Sequence, residues 1–447
     1  MVTSTVTPLR PSHGADVNFT IGSRLDGARN SLTHSMMAAA NFHHALIGTS
    51  GAGKTFTMRR MAIEFASQGV TQFILDTQGD YNRGEFESNH DMKGVQVNEI
   101  KFGYGPDTAG LNPFQIKSGD SGGLHNSVLG VLETIRLFNP AMGSRQKTLL
   151  RRLISATYER AGIVQDDPAS WLNSPPTMSD LLTVLQDEAK AARAGVTTEI
   201  YDTIHKLRKK AKSIAGEIDN TKDQISQNKL EALQASLQEE KEQLHDKLLT
   251  LLEIEIHNPE KIPSVSGVVS RLESIEDMIE GVIASGLFDG HAITPKRNAI
   301  NVLDLTALNP VDQQPIFYLL LERTFHSAVR NCKKLNPKIP DMMFGLDEVK
   351  LFTALADSPL DPINRFFTEG RKYGLGSLCG LQHAKQLTEE MRSSIGTILL
   401  LPVAQEKTTD VKRTWGIPEE QMLRLRPKSD AFYMFGNNQP VPIKLFG

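Results

Sequence analysis

The residues best suited to chemistry in this sequence form a glycine-rich run. In order they are Gly48, Thr49, Ser50, Gly51, Ala52, Gly53, Lys54 and Thr55. Glycines at this spacing let backbone N–H groups approach a phosphate closely, and the lysine adds a positive charge. Thr55 offers a hydroxyl to Mg²⁺, and a helix that starts there presents its positive end to the anion. The run, a P-loop, predicts binding of ATP with Mg²⁺.

A second set of polar residues follows an apolar run at 342–346. Asp347 and Glu348 come directly after Met-Met-Phe-Gly-Leu, which has the composition of a buried strand. In a parallel sheet, the carboxyl ends of the strands face the crevice where ligands bind. Asp347 is therefore predicted to hold Mg²⁺ together with Thr55, and Glu348 to orient or deprotonate the attacking water. The second acid favours hydrolysis over simple nucleotide sensing.

Arg371 and Gln382 flank a third apolar run, at 375–381. Gln382, at the tip of that predicted strand, is placed to sense the γ-phosphate. Arg371 ends the preceding predicted helix, from which a guanidinium could reach a nucleotide on an adjacent subunit as an arginine finger. The alternative is that Arg371 and Lys372 only complement the negative end of that helix.

Two further groups of residues carry weaker signals. Residues 76–81, Asp-Thr-Gln-Gly-Asp-Tyr, end the second predicted strand. Polar side chains there either support catalysis or form an ordinary Gly/Asp turn. His43, His44 and His90 lack metal-ligand spacing, so Mg²⁺ held with the nucleotide is the only metal that we expect.

The elements that must position these residues follow an α/β pattern. A short apolar strand enters the P-loop, a helix leaves it, and a second strand follows, as in the opening of a parallel sheet. After residue 290 the pattern returns, with an amphipathic helix at 312–329. The predicted strands are 42–47, 70–75, 298–305, 342–346, 375–381 and 398–403, with two short strands in 431–446 around the turn Gly436-Asn437-Asn438.

Between the two α/β segments the sequence is almost wholly helical. Apolar residues three and four apart predict helices at 124–138, 145–161 and 179–192. Residues 197–256 contain no proline and a single glycine, which predicts a long helical arm or an antiparallel helical pair. Mixed charges favour a solvated arm over a nucleic-acid-binding helix, although 206–212, KLRKKAK, is basic.

The predicted fold class is therefore α/β: a RecA-like P-loop core with a mainly parallel sheet, interrupted by an all-helical insertion. We divide the chain into a flexible N-terminus rich in Thr, Ser and Pro, a first part of the core with the P-loop, the helical insertion, and a second part of the core. The predicted bounds are 1–18, 19–123, 124–289 and 290–447.

Composition excludes several classes of protein. With 39% hydrophobic and 23% charged residues, the 447-residue chain has ordinary globular composition. The net charge of −3 gives no global basic excess, so any contact with DNA must be local. The two cysteines, Cys332 and Cys379, argue against a disulfide scaffold or zinc site, and favour the cytoplasm. The longest apolar run, 395–404, is about half a membrane span, so we expect no membrane insertion.

Taken together, the motifs resemble the HerA/FtsK superfamily of DNA-pumping ATPases, particularly its HerA-like branch. The resemblance covers 20–115 and 265–447, and the helical insertion carries little of it. In the last motif of the family an arginine finger precedes the sensing glutamine by eleven positions, as Arg371 precedes Gln382 here, which favours the finger. Besides the P-loop, the similar segments are IGSRLDG (21–27), LDTQGDY (75–81), GLNPF (110–114), GLDEVKLF (345–352) and GRKYGLGSLCGLQHAKQL (370–387).

The resemblance implies a homohexameric ring with ATP bound between subunits and double-stranded DNA in the pore. It also implies work beside a nuclease or other effector, in end resection or anti-phage defence. Two departures leave the partner-docking surface and the pathway open. The β-barrel that precedes the core in the DNA-repair members is not matched before Gly48, and Thr77 stands where the family often has proline.

Three functions remain open at this point. The favoured one is a DNA translocase, with pore loops near 83–93 or near Asn364 and Arg365. The second is a conjugative or type IV secretion ATPase that energises transfer at a membrane. The third is a scaffold in which nucleotide only stabilises a ring, against which Glu348 argues because a scaffold needs no hydrolysis.

Overall fold

The computed structural model describes residues 16–26, 30–103, 107–116, 123–193, 265–288, 291–331, 336–349, 362–436 and 438–446, with isolated positions 235, 238, 242, 245 and 246. Three predictions lie outside the described residues. They concern the N-terminus up to residue 15, the helical arm at 197–256 (apart from those five positions) with its basic cluster, and Cys332.

The described chain contains thirteen strands and eleven α-helices. The strands are β1 Asn18–Arg24, β2 Ser31–Ser35, β3 His43–Ile47, β4 Thr71–Asp76, β5 Val97–Lys101, β6 Ala109–Gly110, β7 His291–Ala292, β8 Ile300–Asp304, β9 Met342–Leu346, β10 Leu375–Leu381, β11 Ile395–Leu400, β12 Asp430–Phe435 and β13 Val441–Leu445. The helices are α1 Lys54–Ser67, α2 Arg83–Asn89, α3 Gly123–Phe138, α4 Ser144–Arg160, α5 Met178–Arg193, α6 Val265–Ala284, α7 Pro310–Asn331, α8 Pro362–Glu369, α9 Glu389–Ser393, α10 Thr408–Trp415 and α11 Glu419–Leu423.

The main sheet of the described residues has eleven strands in the order β2-β1-β13-β12-β11-β3-β10-β9-β4-β8-β5. From β11 to β5 all neighbours are parallel, whereas β12, β13, β1 and β2 extend the sheet in antiparallel pairs. The strands β3, β4, β9 and β10 are buried at every position, as their apolar runs require when helices cover both faces. The predicted α/β class with a mainly parallel sheet is confirmed.

The prediction missed β5, the edge strand that pairs with β8, and two further features of the sheet differ from it. The strands β1 and β2 were missed because NFTIGSR and SLTHS are short, polar and without an apolar run, and only pairing beside β13 makes them strands. In addition, β11 lies three residues before the predicted 398–403. The strand ends at Leu400, and beyond it the Pro402 carbonyl accepts a hydrogen bond from the Thr49 amide of the P-loop, 3.1 Å away.

The helix α1 is anchored by its apolar side chains. Met58, Met61 and Phe65 are fully buried in the cluster that packs against the sheet. Each such side chain stabilises the fold by roughly 1.5–3 kcal/mol relative to an exposed one. Because α1 begins at Lys54, this packing fixes the position of the P-loop lysine and of the helix N-terminus.

The chain forms two compact units. One comprises residues 1–113, 119–121 and 285–447 and holds the main sheet. The other comprises 114–118 and 122–284, and its described part is helical. In it α5 packs on α6 and α3 on α4, through apolar side chains at the predicted three-four spacing.

A chain of hydrogen bonds among buried side chains joins β2, β3 and β12. His44 Nδ1 donates to the Phe42 carbonyl (3.1 Å), so the Nε2 of neutral His44 is an acceptor. His34 Nε2 lies 3.0 Å from it and donates, which leaves His34 Nδ1 to accept from the Tyr433 hydroxyl at 2.9 Å. Only neutral histidines satisfy this chain. Burial lowers the pKa of His44 to about 4 and that of His34 well below its ordinary value.

We predict that the protein loses stability as the pH falls below about 6.5, the ordinary histidine pKa. The pKa of His44 is lower in the folded chain, so the unfolded chain binds the proton more readily and protonation favours unfolding. Between about pH 6.5 and about pH 5, His44 alone should cost roughly 2 kcal/mol. Urea unfolding at several pH values measures this.

The variant His44→Gln should be less stable than wild type but show a smaller slope of stability against pH. Exposed His125 provides the matched control, since His125→Gln should keep the wild-type slope. Equal slopes for His44→Gln and wild type would show that this histidine does not titrate on unfolding.

Candidate nucleotide-binding site

The P-loop connects β3 to α1 in a conformation that its glycines permit. Gly51 and Gly53 have φ values of 77° and 104°, in the region that side chains other than glycine rarely adopt. The amide of Gly48 donates to the Leu381 carbonyl at the end of β10 (3.0 Å). Ala52 is buried whereas Ser50 is exposed. The start of the loop is thus tied to the sheet while its tip faces solvent.

Lys54 folds back over the loop. Its Nζ donates to the carbonyls of Gly48 (2.9 Å) and Thr49 (3.0 Å). Burial lowers the pKa of Lys54, and the nearby charges of Asp347 and Glu348 oppose that shift. The ammonium therefore lies between the loop that would bind phosphate and the two acids.

The carboxylate of Asp347 joins the acids to the P-loop. Its Oδ2 accepts hydrogen bonds from Thr55 Oγ1 (2.8 Å) and from the Tyr81 hydroxyl (2.8 Å). A Cβ at position 380 would lie 2.5 Å from Asp347 Oδ1, so only glycine fits in the neighbouring strand β10. Glu348 accepts from Gln78 Nε2 at 3.2 Å. The structure therefore brings Lys54, Thr55 and both acids to one edge of the sheet.

Residues 76–81 form a tight turn around a single carboxylate. The side chain of Asp76 accepts from four consecutive backbone amides, those of residues 78–81, at 3.2, 2.7, 3.1 and 2.9 Å. This arrangement fixes Tyr81, whose ring is buried and whose hydroxyl reaches Asp347. Burial raises the pKa of Tyr81 well above its ordinary value, so the hydroxyl stays a donor. The sequence marked this turn only weakly, yet it supplies a side chain to each acid.

A loop near the C-terminus packs on the P-loop. The Lys428 amide donates to the Ala52 carbonyl (3.0 Å), and a Cβ at Gly53 would lie 2.9 Å from the Lys428 Cα. Lys428 has a φ of 60°, an unfavourable value for lysine. The buried Asp430 holds this conformation by accepting from the Arg426 amide (3.0 Å), Arg426 Nε (2.9 Å) and Ser429 Oγ (2.8 Å).

Sequence reasoning marked Tyr81 only within the weak signal of residues 76–81, and it missed Gly380 and the 426–430 loop as parts of this site. The positive φ of Lys428 leaves no mark in the sequence. Burial raises the pKa of Asp430, but the bonds from Arg426 and Ser429 outweigh it and leave that pKa lowered. The carboxylate therefore remains charged and keeps the loop closed against the P-loop.

Gln382 and Arg371 lie at opposite ends of β10. Gln382 follows the carboxyl end of β10, at the edge of the sheet that holds the P-loop, and lines a cavity of about 650 Å³ with Lys407 and Trp415. Arg371 precedes β10, and its guanidinium lies 5.7 Å from the centre of the Phe42 ring, before β3 begins. Arg371 is therefore not brought together with the other site residues of its own chain.

The donor set of the site suits magnesium. Thr55 and Asp347 offer a hydroxyl and a carboxylate oxygen 2.8 Å apart, and Mg²⁺ is commonly held by one or two carboxylates together with phosphate oxygens. Within the described residues no group of three or more His, Cys, Asp or Glu side chains forms a separate metal site. The residues present therefore fit Mg²⁺ bound with a nucleotide.

The pore-loop candidates have partners within the chain. Lys93 Nζ lies 2.6 Å from a carboxylate oxygen of Glu64, and Arg83 Nη2 donates to the Val97 carbonyl (2.9 Å). Arg365 lies over the Phe325 ring at 4.7 Å, and Asn364 is buried. Their role at a pore stays a prediction.

A parallel α/β sheet with a P-loop after a central strand and two acids beside it defines a P-loop ATPase core. The family model described as "Helicase HerA, central domain" matches residues 19–284, more than half of the chain, and the chain therefore belongs to this family. The match includes the helical region, which the motif resemblance left largely uncovered. It ends before β9 and β10, so the roles of Asp347, Glu348, Arg371 and Gln382 do not rest on it.

A solved structure shares the architecture. VirB4 of Thermoanaerobacter pseudethanolicus superposes with a TM-score of 0.61 at 13% identity, covering 96% of each chain. This similarity shows the RecA-like P-loop fold. The bacterial conjugative coupling protein TrwBdeltaN70 also matches, with a TM-score of 0.46 and 14% identity over 90% of this chain and 85% of its own. A comparison with curated proteins finds no significant match.

Family membership implies ATP hydrolysis. No helix in the described part of the chain has the length and apolar character needed to cross a bilayer.

We predict that Tyr81→Phe lowers the free energy of unfolding of the nucleotide-free protein by about 1–2 kcal/mol, because Asp347 loses one of two hydroxyl donors in a partly buried setting. Urea denaturation measures the change. Tyr373→Phe is the matched control, because the Tyr373 ring packs on Phe325 while its hydroxyl has no hydrogen bond within the described residues. Equal stabilities of the two variants would contradict the proposed contribution of Tyr81.

Proposed function

We propose that the protein is an ATP-driven translocase that acts on double-stranded DNA as a homohexameric ring. The observation that carries the ATPase part is the convergence of Thr55 and Asp347, 2.8 Å apart, with Glu348 next in the chain. The DNA part is supported by membership of a family described as helicase. A nuclease or other effector partner, a role in DNA processing or anti-phage defence, and a cytoplasmic location belong to the same proposal.

The P-loop residues bind and orient the nucleotide in this proposal. Backbone amides of residues 48–55 and the N-terminus of α1 surround the phosphates, and Lys54 turns its ammonium from the loop carbonyls to the β- and γ-phosphates. Thr55 and Asp347 hold Mg²⁺, which when bound neutralises charge that develops on the phosphates.

Glu348 acts on the attacking water. It is half-buried, next to the metal-binding carboxylate, and Gln78 donates to one of its oxygens, which fixes the direction of the other. A carboxylate in this position orients the water and accepts its proton. Gln382, exposed at the same edge, reports the γ-phosphate to the segment that follows β10.

Arg371 acts on the nucleotide of a neighbouring subunit. The seven residues of β10 span roughly 20–23 Å, which no arginine side chain bridges to reach the P-loop of its own chain. Its Nε is buried and has no hydrogen-bond partner among the described residues. A ring would place this edge against the P-loop edge of the next subunit, so the arginine finger requires assembly.

We expect wild-type protein to hydrolyse ATP faster when linear duplex DNA is added. Glu348→Gln should lower the turnover number at least about a hundredfold and leave ATP affinity near wild type, because general-base catalysis contributes that much to the rate. Phosphate release and fluorescent-nucleotide binding, each with and without DNA, measure both quantities.

The control for this experiment is Glu420→Gln, an exposed acid on α11 that should leave turnover unchanged. Turnover by Glu348→Gln at the wild-type rate would remove the general base from the proposal. A stable hexamer with ATPase activity that DNA does not stimulate would favour the secretion ATPase instead.

Mixing subunits tests the finger in trans. Lys54→Ala and Arg371→Ala should each lower turnover, the latter by about a thousandfold. Mixed rings should regain activity, because an Arg371→Ala subunit keeps its P-loop and a Lys54→Ala neighbour supplies the arginine. Mixtures no more active than the sum of the two variants would place Arg371 outside catalysis.

A further inference from the structure

Helix α4 concentrates positive charge in a chain whose net charge is −3. It contains five basic residues and one acid, Glu159, and has no acid in its first turn. The basic residues are Arg145, Lys147, Arg151, Arg152 and Arg160. Such segregation within one helix is a local feature that the composition of the chain conceals.

The neighbouring helix α5 neutralises part of this charge. Arg152 Nη2 lies 2.6 Å from Glu188 Oε1, and Arg160 Nη1 lies 2.9 Å from Asp187 Oδ2. Arg145 and Arg151 are exposed, and in the described part of the chain neither has an ion pair or side-chain hydrogen bond. Among the described residues, two guanidinium groups on the same helix therefore face no anion.

These two arginines line a shallow groove between α4 and α6. Its volume is about 760 Å³, and the paired Arg152 also lines it. Arg271 of α6 contributes a fourth guanidinium, oriented by a hydrogen bond from its Nε to the Gly267 carbonyl (2.7 Å). No described acidic residue lines it. Ser144, Thr148, Arg151 and Ser155, four and three positions apart, share one face of α4 along the groove.

We propose that this groove, the arginine groove, binds the phosphate backbone of double-stranded DNA. The inference deepens the proposed function, because it names a DNA contact on the helical unit apart from the ATP site. Guanidinium groups match phosphate oxygens bidentately. The hydroxyls of Thr148 and Ser155 donate to the carbonyls of Ser144 and Arg151, so the arginines carry the contact. Contacts of this kind position a duplex without reading its sequence.

The composition of the groove favours a nucleic acid over a membrane surface. Its apolar lining residues are Leu149 and Val268, both partly buried. A helix that lies on a bilayer needs an apolar face with large side chains to insert below the headgroups. In contrast, a polyanion requires only the positive charges that the groove presents.

The test uses the full chain with Arg145→Gln and Arg151→Gln combined. Binding to a fluorescein-labelled linear duplex, without ATP, is followed by anisotropy from about 50 to about 200 mM salt. The logarithm of the binding constant falls as the logarithm of the salt concentration rises, and each lost phosphate contact makes this slope shallower by about 1. The slope of the double variant should therefore be shallower than that of wild type by about 2. Its affinity at low salt should fall roughly tenfold, to the same extent for unrelated sequences.

Arg136→Gln with Arg160→Gln is the matched control. It removes the same charge from the same unit, but Arg136 and Arg160 pair with Glu133 and Asp187. This control should keep the wild-type slope, and the variant Arg145→Gln/Arg151→Gln should unfold at the wild-type urea midpoint.

The possible outcomes distinguish a failure of the arginine groove from a failure of the proposed function. A wild-type slope in Arg145→Gln/Arg151→Gln overturns the groove and leaves the ATPase proposal untouched. Loss of binding to phosphatidylserine–phosphatidylcholine vesicles, with duplex binding unchanged, also overturns it and assigns the surface to a membrane. If wild type binds no duplex at any salt, both the groove and the DNA part of the proposed function fail.

Discussion

The carboxylate of Asp347 joins parts of the site that are distant in the chain. It accepts hydrogen bonds from the hydroxyl of Thr55 at the start of α1 and from the hydroxyl of Tyr81 in the turn after β4. It also lies close to Gly380 of β10, where a side chain would not fit. These contacts need the strand order β3-β10-β9-β4 and the observed register. A shift of one residue in β9 would turn the carboxylate to the other face of the sheet and separate the acid from the P-loop.

The P-loop and the two acids could be predicted because each depends on a few consecutive residues. The contribution of Tyr81 could not, since it lies 266 residues from Asp347 in the chain and meets it only because β4 and β9 are neighbours. The position of Arg371 shows an intermediate case. Its position eleven residues before Gln382 suggested an arginine finger. Only the direction of β10 in the sheet shows that Arg371 lies far from the P-loop of its own chain.

Elements with strong periodicity were also predictable, and elements defined by pairing were not. The helices α3, α4 and α5 bury a stripe of apolar side chains that is visible in the sequence. The antiparallel strands β1 and β2 are held partly by the buried chain from Tyr433 through His34 to His44, which no local pattern marks. Likewise, the sequence shows the charge of α4, but only the fold shows which arginines α5 neutralises.

The P-loop is held from outside by two segments that follow it by more than three hundred residues. Thr49 bonds to Pro402 after β11, and Ala52 bonds to Lys428, which Asp430 keeps in its unusual conformation. A minimal fragment designed around the recognisable motifs and cut at residue 400, after Gln382, would thus lack these supports. The smallest piece that retains a shaped phosphate cradle must extend at least through β12, so shortened versions would keep the motifs and lose the site.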